Sequence, residues 1–266
     1  MPHRETFETF NGCKTRLLRG GQGAPLLYLH GALGVYGWTP FMERLSRGFE
    51  VIVPDHPGFG QSDTPDWLDT IGDLAYFYLD VIKAMGLSGV HLSGTSLGGW
   101  IAAEIAVRDC HALTSLTLTA PAGIHVKGLS KGDFFMWSPE QFVRNLPYDP
   151  AVADAMLAVP VTEAQQFTAM KNRLATAKLG WQPRLYNPHL HKWLHRISVP
   201  TLILWGDSDR IIPPGYGPAF RDLIPGSRLE VFANCGHVPH IEYTDDWVAK
   251  VTGFMQASGV LKGSPA

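Results

Sequence analysis

Five short apolar runs, each too brief for a helix and each closed by Gly, Pro or Asp, alternate along this chain with segments of helical periodicity. They are PLLYLHG (25–31), EVIVPD (50–55), GVHLSG (89–94), LTSLTLTAP (113–121) and PTLILWGD (200–207). Between the third and fourth runs, Leu97, Ile101, Ile105 and Val107 recur at roughly helical spacing. DLAYFYLDVIKAMG does the same before the third run and stops at Gly86. Continuous apolar strands separated by helices require a mostly parallel sheet covered on both faces, an α/β architecture. TRLLRGGQGAPLLYL predicts an antiparallel hairpin turning at Gly20 to Gly23, so the sheet is expected to begin antiparallel.

The rhythm breaks between Ile124 and His195, where prolines and helical patches replace strands. This stretch, 124–195, is read as a mainly helical insertion, leaving 1–123 and 196–266 as one core domain. The α/β pattern resumes with PTLILWGD and RLEVFANCGH and closes with a helix near Asp246 to Met255. With 266 residues and 45% hydrophobic content, the chain has ample material for a buried core.

Charge narrows the function. Lys plus Arg number 22 against 24 Asp plus Glu, a net charge of −2, so nothing favours nucleic acid or an acidic membrane surface. Cys13, Cys110 and Cys235 are scattered and odd in number, which predicts reduced thiols rather than a disulfide framework or a CxxC site. MPHRETFETFNGCK carries no apolar signal region, and no stretch approaches the roughly 18 apolar residues of a membrane span. The expectation is a cytoplasmic, soluble protein whose partner is a small-molecule substrate, with homodimer formation left open.

Gly94-Thr95-Ser96-Leu97-Gly98 fits G-x-S-x-G where a strand passes into a helix. So tight a turn leaves no room for side chains two residues before and two after the serine, and it pushes the hydroxyl out above the sheet. Ser96 is the candidate nucleophile. A serine hydroxyl needs a base to take its proton and a carboxylate to orient that base. Asp207 and Asp209 lie in the loop after one strand and His237 in the loop after the next, giving the order Ser, Asp, His. Of the two acids, Asp209 lies deeper in its loop and reaches the histidine more readily, while Asp207 suits a turn-capping role. Upstream, His30 and Gly31 end a strand, and the backbone N–H of Ala32 together with that of Leu97 forms the candidate oxyanion hole.

The chain resembles the α/β-hydrolase family through HGALG at His30, DHPGFGQS at Asp55, GTSLGG at Gly94, WGDSDRIIP at Trp205 and CGHVPHIE at Cys235. The resemblance spans about residues 25–255. It implies an eight-stranded, mostly parallel sheet with a helical cap inserted after strand six, a Ser96–His237–Asp209 triad, and neither metal nor cofactor. Its frame for the acid, three residues after the Gly of WG and four before a proline, fits Gly206, Asp209 and Pro213. WGDSDRIIP also resembles the branch that hydrolyses carbon–carbon bonds in aromatic ring-cleavage products. That branch carries Asn before the nucleophile and Trp after the histidine, where this chain has Thr95 and Val238. Family members with an aspartate nucleophile, the haloalkane dehalogenases and epoxide hydrolases, are set aside by Ser96.

DFFMWSPEQF within the insertion supplies Phe134, Phe135 and Trp137 which, with Val238, are the candidate walls of an apolar substrate pocket. Phe134 and Phe135, being adjacent, are expected to face opposite sides. His189, His191 and His195 lack a further ligand and read as a solvated helix face, with Pro188 as its start. His30 reads as a loop brace. Arg144, Lys171 and Arg173 are expected to be solvated. RGGQGAP lacks the Lys-Ser/Thr of a phosphate loop. The leading function is hydrolysis of a small or medium apolar ester through an acyl-enzyme, with C–C bond hydrolysis second. A non-catalytic ligand receptor on the same fold is the alternative of another class.

Overall fold

A computed structural model describes residues 3–263. In chain order the strands are β1 (Arg4–Phe10), β2 (Cys13–Gly20), β3 (Ala24–Leu29), β4 (Phe49–Pro54), β5 (Val90–Thr95), β6 (Leu113–Thr119), β7 (Thr201–Gly206) and β8 (Arg228–Phe232). The helices are α1 (Pro40–Leu45), α2 (Ile71–Ala84), α3 (Leu97–Arg108), α4 (Pro139–Asn145), α5 (Pro150–Ala158), α6 (Glu163–Gly180), α7 (Tyr216–Leu223), α8 (Pro239–Glu242) and α9 (Thr244–Gly263). The eight strands form one sheet in the order β1-β2-β4-β3-β5-β6-β7-β8. β1, β2 and β4 pair antiparallel, and every pairing from β4 onward is parallel.

The sheet does begin antiparallel, but its hairpin lies elsewhere than the sequence reading placed it. β1 and β2 turn at Asn11 (φ 48°) and Gly12 (φ 74°), two consecutive left-handed residues of the kind that two-residue hairpins demand. β2 and β3 are not neighbours, because β4 lies between them. The glycines at 21 and 23 have φ of 84° and 118° and lie against the backbone carbonyls of Ser46, Gly48 and Phe49, where no side chain fits. They turn the chain back across the start of β4, so that β2 and β3 run in opposite directions with β4 between them.

All residues of β5, β6 and β7 are buried, as strands covered on both faces must be. Leu74, Phe77, Tyr78 and Val81 of α2 and the apolar side chains of α3 form the core on one face. Phe41 and Met42 of α1 with Trp247, Val251 and Met255 of α9 form it on the other. α2 starts at a capping box of Thr70 with Asp73 and ends before Gly86, which takes the left-handed conformation of a helix stop.

α4, α5 and α6 all lie in the connection between β6 and β7. Its two ends meet where Gly123 and Tyr186 form a bridge, flanked by bonds from Gly123 N to Leu185 O and from Asn187 N to Gly123 O. α6 is tied to loops past the C-terminal ends of two core strands. Asn172 accepts from the N–H of Gly60 and donates to Leu33 O, and Lys171 donates to the carbonyls of Gly60 and Ser62. The connection therefore lies over the edge of the sheet where the parallel strands end. His189, His191 and His195 are all exposed as expected, but two short 3-10 turns, Leu190–Lys192 and Leu194–Arg196, replace the single helix the sequence suggested.

Candidate active site

Ser96 stands between β5 and α3 with φ 55° and ψ −114°, a conformation costly for any residue with a side chain. Its flanking glycines explain how the turn closes. A Cβ on Gly94 would lie 2.3 Å from the carbonyl oxygen of Gly98, and one on Gly98 would lie 2.0 Å from Leu29 O and 2.5 Å from His30 O. The strand end, the helix start and β3 thus touch backbone to backbone. Ser96 N donates to Thr119 O at 2.9 Å, and Ser96 O accepts from Trp100 N and Ala122 N, so the residue is fixed from both sides. Ser96 is half-buried, whereas its neighbours Thr95 and Leu97 are buried.

β5, β7 and β8 run parallel, so the residues following them gather on one edge of the sheet. Here Asp209 Oδ2 lies 2.7 Å from His237 Nδ1, and both side chains are almost wholly buried. The other oxygen, Oδ1, accepts from the N–H groups of Ile211 and Ile212 at 2.8 and 2.9 Å. These two backbone bonds fix the carboxylate in place beneath the imidazole. It fixes the imidazole with Nδ1 protonated and leaves Nε2 as the acceptor. Asp207, by contrast, is exposed. It accepts from the Ser208 hydroxyl at 2.8 Å and from Cys235 N at 3.3 Å, a turn-bracing position away from the imidazole. Burial works against its charge, but these bonds outweigh that and hold its carboxyl below the usual range.

The loop bearing Ala32 starts beside the serine, for a Cβ on Gly31 would lie 3.4 Å from Ser96 Cβ. Leu97 opens α3. Two histidines brace this loop. His30 Nδ1 faces Gly31 O at 2.8 Å while Nε2 accepts from His56 N, and His56 Nε2 faces His30 O while Nδ1 takes the Tyr78 hydroxyl. Each ring therefore has one donor and one acceptor nitrogen, the pattern of a neutral imidazole assigned from its partners. The rings lie 3.8 Å apart. Burial lowers both pKa values, His56 the more because His30 adjoins it. His56 and Tyr78 were not singled out in the sequence, although His56 stands inside DHPGFGQS.

Phe134 and Phe135 do not diverge as their adjacency suggested. They sit in a turn rather than a strand, both are buried, and their rings stack at 4.3 Å with Phe142 at 5.2 Å from Phe134. Val238 is buried in the same apolar cluster and Trp137 packs on it half-buried. Arg173 donates to the carbonyls of Phe135 and Trp137 and so is engaged rather than simply solvated, while Arg144 is exposed as expected and pairs on the surface with Glu140 and Asp154. A groove of about 760 Å³ lies between α6 and the loops after β3 and β4, lined by Tyr36, Gln61, Glu163 and Phe167 among others. None of Ser96, Asp209, His237 or the four expected pocket residues lines it.

Two contacts join the histidine loop to the β6–β7 connection. His237 N donates to Leu146 O at 2.6 Å. Glu242 accepts from Gly236 N with one oxygen and from Tyr148 N with the other.

Residues 24–244 match the family model of the alpha/beta hydrolase fold. The chain belongs to the α/β-hydrolase family. This α/β-hydrolase is 29% identical over 266 residues to a 2-hydroxy-6-oxo-6-(2'-aminophenyl)hexa-2,4-dienoic acid hydrolase of Metapseudomonas resinovorans, covering 94% of this chain and 90% of that protein. It is 28% identical to Lipase 1 of Psychrobacter immobilis, covering 84% and 74% respectively. Among solved structures, a serine hydrolase involved in carbazole degradation matches with a TM-score of 0.77 at 26% identity, covering 96% of this chain and 100% of that one. The protein is a hydrolase, and its relatives include both ester-cleaving and C–C-cleaving enzymes. No helix among the described residues is long and apolar enough to cross a membrane. No group of three or more His, Cys, Asp or Glu among them is placed to hold a metal ion.

Proposed function

We propose that this α/β-hydrolase cleaves a small or medium apolar ester by a Ser96–His237–Asp209 triad beneath a helical cap formed by residues 124–195. The observation that carries the reading is the buried bond between Asp209 Oδ2 and His237 Nδ1 on the same sheet edge as the strained Ser96 turn. His237 Nε2 takes the proton as Ser96 Oγ attacks the ester carbonyl, and the N–H groups of Ala32 and Leu97 hold the oxyanion. Collapse breaks the C–O bond. The alcohol leaves with the proton from Nε2, and water then repeats the sequence to release the acid and free Ser96.

The cations of the cap support a neutral substrate. Arg144 and Arg184 are paired with carboxylates, and Lys171 and Arg173 are committed to backbone carbonyls. Lys131 donates to Ile124 O, and burial pushes its pKa down to about 8. A dienoate carboxylate would compete with these partners. Thr95, in the place of the C–C branch's Asn, is turned into the core by its bond to the Tyr28 hydroxyl at 2.9 Å. The second reading, C–C hydrolysis of a vinylogous diketone, is favoured by the relative that bears a dienoic acid hydrolase name. A panel of chromogenic esters, lactones and a vinylogous ring-cleavage diketone, run on wild type and Ser96→Ala, decides between them. Esters are expected to give the highest kcat/KM. A diketone surpassing every ester would reverse the order, and binding without turnover would point to a receptor.

A further inference from the structure

The loop that carries His237 and the segment between α4 and α5 meet edge to edge, and both present backbone N–H groups at the contact. Gly236 comes so near that a Cβ there would lie 2.2 Å from Leu146 O and 2.7 Å from Tyr148 N. Two facing donors cannot satisfy each other, and an acceptor placed between them serves both, on the part-buried side at Gly236 and on the exposed side at Tyr148. Glu242 supplies it. Its Oε1 accepts from Gly236 N at 2.8 Å, and its Oε2 accepts from Tyr148 N at 2.7 Å and from Asp149 N at 3.4 Å. The Cys235 thiol, held protonated by burial and by the neighbouring carboxylate, lies 3.5 Å from Oε1. The remaining link, Leu146 O to His237 N, is made directly.

We propose that Glu242 is a positioning residue, fastening the cap segment 146–149 to the His237 loop so that the imidazole is placed only while the cap is seated. The proposal rests on the reading of His237 as the base. A carboxylate suits the task because charge-assisted bonds from N–H groups are about twice as strong as neutral ones. It also has two oxygens pointing opposite ways, so one side chain serves two segments of chain. Glutamine keeps the shape but has a single acceptor, and its NH₂ would face a donor on one side. Alanine leaves both sides unmet.

The test compares wild type, Glu242→Gln, Glu242→Ala and His237→Ala with a p-nitrophenyl ester. Sites are counted by covalent titration with a fluorophosphonate, so a variant that folds poorly is corrected for the fraction lost. Per titrated site, kcat should fall about 10-fold in Glu242→Gln, which lacks an acceptor on one side of the contact, and about 100-fold in Glu242→Ala, which lacks one on both. KM should change by less than about threefold, and the fluorophosphonate inactivation rate should fall in the same ratio as kcat, because it depends on the same base. A merely structural glutamate would lower thermal stability and the number of sites but leave the per-site kcat and inactivation rate at the wild-type level, and that result overturns the proposal. If His237→Ala retains activity, the assignment of the base is what fails, a distinct outcome that also removes the ground for the proposal.

Discussion

Asp209 and His237 share a 2.7 Å hydrogen bond between two almost wholly buried side chains, while Asp207, two residues earlier, is exposed and braces the turn at Ser208 and the backbone at Cys235 without reaching the imidazole. Asp209→Asn should therefore lower kcat by roughly 10³- to 10⁴-fold, since an amide can present its NH₂ to Nδ1 and hold the wrong tautomer. Asp207→Asn should cost about tenfold or less. Steady-state kinetics on the two purified variants check this. A larger loss in Asp207→Asn would transfer the acid's role to that residue.

Replacing Ser96 separates chemistry from strain. Ser96→Ala should lose on the order of 10⁴-fold in kcat and all labelling by a fluorophosphonate, with the fold intact. Ser96→Gly should be equally inactive yet more stable, by about 1 kcal/mol, because glycine accepts φ 55° without the Cβ penalty. Calorimetry gives the ordering. A glycine variant melting below the alanine variant would mean that the turn stores no such strain.

Two glycines make a matched pair for stability. A Cβ on Gly98 would meet backbone carbonyls at 2.0 and 2.5 Å, atoms that cannot swing aside, so Gly98→Ala should cost roughly 3 kcal/mol or more, or give no folded protein. Gly253 is exposed within α9 and an added Cβ there meets nothing within 4 Å. Gly253→Ala should stabilise by up to about 1 kcal/mol through helix propensity. Urea titrations of the two variants read both values.

Acid should unfold this protein through histidines buried in their neutral form. Burial lowers the pKa of His30, of His56, and of His240, which desolvation and the adjoining His237 push down to about 3. Between these depressed values and the ordinary 6.5, the unfolded chain binds protons that the folded chain refuses, so stability is full above pH 6.5 and falls as pH drops below it. Each such histidine contributes a slope of about 1.4 kcal/mol per pH unit. His240 Nδ1 is buried without a hydrogen-bond partner, and its ring packs on Phe41 and Trp247. His240→Phe should keep that packing and flatten the slope by about 1.4 kcal/mol per pH unit. Melts from pH 8 to pH 4 measure it, and identical slopes in variant and wild type would place the acid sensitivity elsewhere.

How much of this was legible depended on whether a residue's role was local. The parallel strands announced themselves because burial on both faces leaves continuous apolar runs, and the turn at Ser96 did so because its glycines answer a steric need within five residues. The preference for Asp209 over Asp207 could be argued from loop depth alone. Asn11-Gly12 between ETFETF and CKTRLL is a strong hairpin signal for β1, but the glycine-rich stretch at 20–23 competes with it as the turn of the first hairpin. That stretch is a true turn, but which strand slots in beside it is decided by pairing with β4, some thirty residues on. Contacts made by carbonyls and N–H groups, such as Leu146 with His237, leave no trace in side-chain identity. Glu242 was visible only as the last letter of CGHVPHIE, with nothing to say that it faces Tyr148.

Three consecutive residues of α6, Lys171, Asn172 and Arg173, each grip backbone atoms of a different set of loops: 60–62, 33 with 60, and 135 with 137. For evolution this makes a knot of epistasis. The loops after β3 and β4 and the phenylalanine turn are far apart in sequence, yet none can drift in length or course without passing its displacement to the others through one helical turn. Substitutions in any two of them should combine non-additively, and libraries that vary all three together with residues 171–173 should reach new substrates that single-loop libraries miss.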